Sequence, residues 1–490
     1  MTNQDAKKRI VTDEFGQTFE LIKKLGQGGQ GIVCSTQFDK VIVKMTTKKD
    51  LEKKKKWFEH IRWLMRQPLE QLSIAQPFSR IEDADKGHFG YAMELMDGLV
   101  PLQSLMDTTE QAMVDSAGSP GEYLASGGIK RRIQLLAKLA RILANLHCRG
   151  LAYGDLSPAN VFVSKNIEDA EVWLIDCDNI CVNQRESFDS ALIEGKAGRV
   201  FSPGYGAPEV VSGDSYVSSL TDSWSFAVIA MKLLTTNHPF VGEFVDAGTP
   251  EDEENAFAGK LPWIHHPDDK SNELGRANPK GIDIDEVADQ LLKRLFDSCF
   301  NKGKNTPLLR PSLSEWAEVL EKISHLQVYC RDNHCNASFY FLRKKEKLTC
   351  PFCGSEANNQ HVLYIRTYLK DETIKDLPLP DEDKKSIRID TGNAQTLNLG
   401  ETLIIKNSPP GSVYWSESAA LISISFNKTG LKITPLGAKS FTIQHGKNKK
   451  QTFSLSTDLS IIERDNTPLS ITPVLSSETP RISYSYKLKW

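Results

Sequence analysis

A chain of 490 residues is too long for one hydrophobic core, and about three domains are expected. Its formal net charge of −3 lacks the basic excess of a general nucleic-acid binder, so no nucleic-acid partner is expected. No stretch approaches the roughly 18 consecutive apolar residues of a membrane span, and residues 1–9 show no apolar run after their charges.

Residues 1–18 are polar and read as a loose lead-in, and residues 19–37 read as a hairpin turning on Gly26, Gly28 and Gly31, with Val33 just beyond. Glycines in such a turn let backbone N–H groups approach triphosphate oxygens that a Cβ would obstruct. An apolar strand then ends in Lys44, and a helix is expected over residues 49–66, with Trp57, Ile61, Leu64 and Met65 roughly on one face. Within it, Lys53 to Lys56 reads as a solvated face. Residues 88–95 read as a strand, and residues 107–128, rich in Ser, Gly, Thr and Asp, as a loop insertion. Residues 129–147 form a strongly periodic core helix through Ile133, Leu136, Leu139, Leu143 and Leu146.

After this helix stands Tyr153-Gly154-Asp155-Leu156-Ser157-Pro158-Ala159-Asn160, followed by the apolar run Val161-Phe162-Val163. An Asp and an Asn on a loop between helix and strand can bring a base and a metal ligand into one cleft. The next apolar strand ends in Asp176, and carboxylate and amide oxygens are hard ligands suited to magnesium. Farther on come Ala207-Pro208-Glu209, then Asp222-Ser223-Trp224-Ser225, then Arg310.

In this order, the stretches resemble the protein-kinase signature set, namely the glycine-rich loop, the strand lysine, the catalytic loop, D-F-G and A-P-E. The resemblance spans residues 19–325. It implies a bilobal α+β fold, with a small lobe over 19–96 and a large lobe over 97–325, and an ATP- and magnesium-dependent protein serine/threonine kinase acting on a protein substrate. By the same resemblance, Lys44 contacts the α/β-phosphates and pairs with a helix glutamate. Glu59 is the choice for that glutamate, with Glu52 and Glu70 as alternatives. Asp155 orients the hydroxyl and accepts its proton, while Asn160 and Asp176 hold magnesium. Gly26, Gly28, Gly31 and Val33 cover the nucleotide, Ile42 roofs the adenine, and Met93 stands at the gatekeeper position. Glu94 and Met96 offer backbone groups to the adenine. Asp222 anchors the catalytic loop, and Glu209 pairs with Arg310. The loop variant resembles a bacterial branch whose members are often encoded near a PP2C-type phosphatase, which makes such a phosphatase a candidate partner.

Four departures from the family pattern stand out. Tyr153 replaces a His, Gly154 an Arg that reads phosphorylated loops, and Ser157 a Lys beside the transferred phosphate. Cys177 and Asp178 together replace Phe and Gly. They leave a nucleotide-binding pseudokinase scaffold as the alternative.

Cys330, Cys335, Cys350 and Cys353 resemble a zinc ribbon over residues 326–360, with two close pairs able to set four thiolates around a structural Zn²⁺. The other five cysteines are scattered, which suits a reducing compartment, and the cytoplasm is the expected location. His265-His266 with Asp268-Asp269 reads as a polar loop rather than a metal site. Residues 361–385 read as a charged linker. Residues 386–490, with short alternating strands, read as an antiparallel β-sandwich that with the ribbon would contact other proteins.

Overall fold

The computed structural model describes residues 9–27, 31–46, 50–83, 88–183, 200–275, 281–335, 337–340, 348–357, 361–371, 378, 380, 387–407, 418–438, 440–445, 451–454, 460–462, 469–474 and 482–489. The chain divides into two compact units, residues 1–127 with 134–318, and residues 128–133 with 319–490.

The first unit opens on a hairpin, β1 (Arg9–Thr12) and β2 (Thr18–Leu21), where the polar composition had suggested a loose lead-in. Val11 and Phe19 are register partners on one face of it. Both are buried in a cluster with Val43, Met45, Ile81 and Ala92. Two apolar residues suffice because strand alternation puts them on the same side, a signal that average polarity hides.

Beside the hairpin lies a five-stranded antiparallel sheet. Its strands are β3 (Lys23–Gln27), β4 (Gly31–Ser35), β5 (Val41–Thr46), β6 (Pro77–Asp83) and β7 (His88–Glu94), in the order β3-β4-β5-β7-β6. Between β5 and β6 runs α1 (Leu51–Leu64), capped by the Asp50 carboxylate accepting the Lys53 N–H at 2.8 Å. Trp57, Ile61 and Leu64 are buried, in keeping with the expected inner face, and Phe58 packs on Phe89 with ring centroids 5.1 Å apart.

β8 (Leu99–Pro101) leads into α2 (Leu102–Asp115) and α3 (Gly121–Ala125), so most of the expected loop insertion at 107–128 is helical. Leu102, Met106, Thr109 and Met113 form the buried stripe of α2. Thr109 joins it by donating its hydroxyl to the Leu105 carbonyl at 2.7 Å. A helix whose buried face includes a threonine has a weak apolar period, which is why composition misread it. α4 (Gly128–Cys148) buries Ile133, Leu136, Leu139, Leu143 and Leu146. The short strands β9 (Leu151–Ala152), β10 (Val161–Ser164), β11 (Val172–Leu174) and β12 (Cys181–Val182) follow, with β9 paired to β12 and β10 to β11.

α5 (Pro208–Val211) precedes α6 (Ser219–Thr235), which starts on a reciprocal cap between Ser218 and Thr221 and is buried on nearly all sides. The Glu209 carboxylate of α5 accepts two bonds from the Arg310 guanidinium, at 2.7 and 2.8 Å. Arg310 also donates to the Leu220 carbonyl and stacks over Trp224 at 4.9 Å.

In the second unit, two small hairpins carry the clustered cysteines. They are β13 (Gln327–Tyr329) with β14 (Ser338–Tyr340), and β15 (Leu348–Thr349) with β16 (Glu356–Ala357). Ten further strands form two sheets. One has the order β18-β17-β26-β25-β22-β23 and uses β17 (Val362–Asp371), β18 (Ile387–Asn398), β22 (Ser440–His445), β23 (Gln451–Ser454), β25 (Leu469–Val474) and β26 (Ile482–Lys489). The other has the order β19-β20-β21-β24, from β19 (Thr402–Lys406), β20 (Ala420–Asn427), β21 (Gly430–Pro435) and β24 (Ser460–Ile462). Leu363, Ile365, Phe441 and Ile471 of the first share one core with Ile405, Ile424 and Ile433 of the second. That is a sandwich core, but residues 362–371 are an interior strand of it and not the linker expected there. Most of residues 372–386 lie outside the described residues.

The Glu209–Arg310 fork yields a stability test. Arg310 is buried, so Arg310→Met leaves Glu209 without its charge partner and is expected to destabilise the first unit by about 3–5 kcal/mol. Chemical denaturation followed by tryptophan fluorescence measures this, and a shift under 1 kcal/mol would rule out a structural role for the pair.

Candidate functional site

The site is built on the loop 153–160. The Asp222 carboxylate, buried in the first turn of α6, accepts the Tyr153 N–H at 2.7 Å and the Gly154 N–H at 3.0 Å, and His147 Nε2 lies 2.9 Å away. Gly154 has φ +92°, and a Cβ there would stand 2.8 Å from the Asn179 carbonyl oxygen. An arginine at this position would need a different backbone, which accounts for its absence.

Two bonds tie the loop to the strand carrying Asp176. The buried Tyr153 hydroxyl donates to the Ile175 carbonyl, and the Ile175 N–H donates to the Asn160 carbonyl at 3.0 Å. Asn160 and Asp176 are thereby held side by side. Asn160 Nδ2 donates to the Asp155 carbonyl at 2.9 Å, which turns its Oδ1 to the role of acceptor or ligand. Asp176 itself has φ +57°, a left-handed conformation that is strained for most side chains and tolerated by Asp.

Asp155 Oδ1 accepts the hydroxyl of Ser202 at 2.9 Å, and burial pushes its carboxyl above the ordinary range. Sequence reasoning did not single out Ser202. Nothing in Phe201-Ser202-Pro203 marks it, since the contact depends on how residues 200–206 fold back over the loop.

Lys44, on β5, is buried and ion-paired with two carboxylates, Asp176 and Asp178, the latter at 2.7 Å. Burial works against the ammonium, but the charges of Asp178 and Asp176 more than offset it and hold it above the ordinary lysine range. Asp178 is fully enclosed. Its Oδ2 accepts Lys44 and the Trp57 indole N–H at 3.1 Å, and its Oδ1 accepts the Tyr91 hydroxyl at 2.6 Å.

Glu59 is not the partner of Lys44. Its side chain is 64% exposed, 3.7 Å from Arg62 and 4.0 Å from Arg80. The alternatives fare no better, since Glu52 is exposed and pairs with Lys56 at 2.8 Å, and Glu70 is exposed. The cause is helical geometry. α1 turns Trp57 inward, and two residues further the chain has rotated by about 200°, which sends Glu59 to solvent.

Gly26 is the register partner of Val33, and Gly31 faces Thr46. A Cβ on Gly31 would lie 2.7 Å from the Met45 carbonyl oxygen and 3.2 Å from the Lys44 stem, so this glycine makes room for the lysine. Gly28 lies outside the described residues. Ile42 and Met93 are buried and directly opposite on β5 and β7, while Glu94 ends β7 and Met96 follows, half-buried.

The sulphurs of Cys330, Cys335, Cys350 and Cys353 lie within 4.8 Å of one another, with Cys330 and Cys353 at 3.4 Å and Cys335 and Cys350 at 3.9 Å. Gly354, at φ +74°, closes the knuckle with its N–H on the Cys350 carbonyl at 2.9 Å. Burial pushes the Cys330 thiol up to about 11 and Cys350 upward as well, whereas Ser355 draws Cys353 down to about 7. The four ligand atoms are close enough together to hold one metal ion. Among the described residues, no other group of three or more His, Cys, Asp or Glu side chains brings its ligand atoms this close. At 265–269, His266 Nδ1 instead accepts the Asp269 N–H at 2.9 Å in a local turn.

Residues 19–316 match the family model of the protein kinase domain. G protein-coupled receptor kinase 1 of Caenorhabditis elegans is 30% identical over 224 residues, covering 46% of this chain and 31% of the relative. Cyclin-dependent kinase B2-1 of Arabidopsis thaliana is 24% identical over 308 residues, covering 59% of this chain and 90% of the relative. The serine/threonine-protein kinase pkn2 of Myxococcus xanthus is 33% identical over 113 residues, 23% of this chain and 13% of the relative. The chain thus spans about a third of the length of the receptor kinases it matches.

His238 braces the segment that carries Ser202. Its Nε2 bonds the Gly204 carbonyl at 2.8 Å and its Nδ1 accepts the Phe240 N–H at 3.2 Å, so the ring must be neutral to make both. Burial pushes its pKa down to about 3. A depressed histidine contributes stability that is fully present above its unfolded value near 6.5 and lost as pH falls toward 3, at about 1.4 kcal/mol per pH unit. Thermal melts at pH 7 and pH 5 should therefore differ less in His238→Gln than in the wild type. Equal acid sensitivity in both proteins would reject the assignment.

Proposed function

The chain belongs to the protein kinase family, and from that premise we propose that it is a magnesium- and ATP-dependent protein serine/threonine kinase. The convergence of Lys44, Asp155, Asn160 and Asp176 on one cleft, held by backbone bonds through Tyr153, Ile175 and Asp222, carries this reading. Asn160 Oδ1 and the Asp176 carboxylate are hard oxygen ligands and fit magnesium. When bound, the ion neutralises charge on the phosphate oxygens. Lys44 balances charge on the α/β-phosphates. The substrate hydroxyl attacks the γ-phosphorus, the bond to the β–γ bridging oxygen breaks, and Asp155 accepts the hydroxyl proton. Ser202 bonds this carboxylate and orients it in the loop.

Ser157 brings no charge where the family has a lysine, so Lys44 and the cation carry the electrostatic balance in this reading. The loop variant favours a bacterial-type kinase with a PP2C-type phosphatase as counterpart. The cysteine cluster fits Zn²⁺, because Zn–S bonds of about 2.3 Å around a tetrahedron put sulphurs about 3.8 Å apart, within the observed spread. Ribbon and sandwich then serve as the surfaces for protein partners.

Two experiments test these assignments. Asp155→Asn should lower phosphoryl transfer to a generic basic protein by about 10²–10⁴-fold while nucleotide affinity stays near that of the wild type. Lys44→Met should instead weaken nucleotide binding itself. Wild-type protein that binds ATP with magnesium and transfers nothing to any substrate would assign the chain to the scaffolds. Metal analysis of protein purified without chelator should return about one zinc per chain, by the one-ion-per-four-thiolates rule, and Cys353→Ser should lower it. A disulfide between any two of the four cysteines in place of metal would end the zinc assignment.

A further inference from the structure

We propose that Asp178, and no glutamate of α1, is the residue that positions Lys44 on the phosphates of bound nucleotide. This rests on the nucleotide-binding reading of the cleft.

α1 carries two acidic residues, Glu52 and Glu59, and both point to solvent. The side chain it turns toward Lys44 is Trp57, which has no charge to offer. The counter-charge comes from the opposite side, from the single 3-10 turn Cys177–Asn179 that follows Asp176. Asp178 has no exposed side-chain surface, and its two oxygens are taken by Lys44, Trp57 and Tyr91. With no exposed surface, its carboxylate is shut off from the cleft. Asp176, by contrast, is 28% exposed and reaches the cleft.

The two carboxylates thus divide the work. Cation and phosphates can draw Asp176 away from Lys44, and Asp178 keeps the ammonium extended and charged. One substitution explains another. A family member lacking an inward helix glutamate needs a buried anion elsewhere, and the Asp that stands in place of Gly at 178 supplies it. A departure that reads as loss of function in the sequence becomes a relocated anchor. It also changes what α1 controls. Moving the helix breaks a neutral indole hydrogen bond, not the counter-charge of the lysine, so the lysine stays aligned with the segment that carries Asp176. Tyr91, opposite Lys44 in the sheet register, locks the anchor from the strand side.

The test uses the full chain and two readouts, the affinity for a fluorescent ATP analogue with magnesium, and the rate at which a small acylating reagent labels the Lys44 amine, followed by mass spectrometry. Asp178→Asn keeps the shape and removes the charge. It should weaken nucleotide binding roughly 10- to 100-fold, the usual range for a charged hydrogen bond. It should also speed Lys44 labelling, because an amine that loses one of its two carboxylate partners is freer to leave the pair and meet the reagent. Glu59→Gln should change neither. Trp57→Glu combined with Asp178→Asn, which moves the carboxylate onto α1, should recover part of both, a rescue that a purely structural role would not produce. If Asp178→Asn does not fold, Tyr91→Phe should shift both readouts in the same direction by a smaller factor. The proposal falls if the charge-removing variants leave both readouts at wild-type values, or if Glu59→Gln reproduces the loss. Wild-type protein that binds nucleotide but transfers no phosphate rejects the kinase reading alone, since neither readout depends on transfer.

Discussion

A buried ammonium dictates much of the first unit. An isolated charge the size of Lys44 cannot leave water without compensation worth several kcal/mol, so carboxylates must be brought to it. Asp176 and Asp178 meet that demand from a turn 132 and 134 residues along the chain. Their arrival draws other groups with them. Tyr91 and Trp57 donate to the same carboxylate, which joins strand β7 and helix α1 to the turn, and Gly31 stays bare so that the lysine stem can extend. Strands β5 and β7, helix α1 and the turn 177–179 are therefore coupled through one charge cluster.

The loop 153–160 depends on a second buried carboxylate, Asp222, which satisfies two consecutive backbone N–H groups that a tight loop cannot pair internally. With these bonds in place, Tyr153 can span to Ile175, and the two short strands on either side come into register with the rest. Three departures from the family pattern in this region have a local physical reason. Gly154 allows a left-handed backbone against Asn179, Tyr153 reaches a carbonyl across the cleft, and Asp178 supplies a charge.

The second unit solves a different problem. Two hairpins of two or three residues per strand bury too little apolar surface to hold themselves, and four converging sulphurs offer a cross-link instead. The sandwich beside them buries a continuous apolar core, and its first strand, β17, pairs with its last described strand, β26. Closing such a sheet requires contacts between residues more than a hundred positions apart in the chain, at a cost in loop-closure entropy.

The sequence by itself determined the elements with strong local periods and the residues with specific chemistry in ordered spacing. α4 was legible because its apolar residues repeat every turn, and the cysteine set because paired thiols have few other uses. Lys44, Asp155, Asn160 and Asp176 were grouped through the resemblance of their ordered stretches to the protein-kinase signature set. What tertiary structure decided was every partner chosen across the chain. α1 was legible as a helix, but a rotation of about 100° per residue decides that Trp57, expected only as part of its apolar face, bonds Asp178 while Glu59 points to solvent. The hairpin β1/β2 rests on two apolar residues, and α2 on a stripe that includes a threonine, too little for composition to register. Ser202 has no local signature at all, and Asp178 is marked in the sequence only as a departure from the family pattern. Their roles arise from desolvation, because a charge or hydroxyl removed from water must find its match in whatever segment the fold brings near, and linear sequence does not encode that proximity.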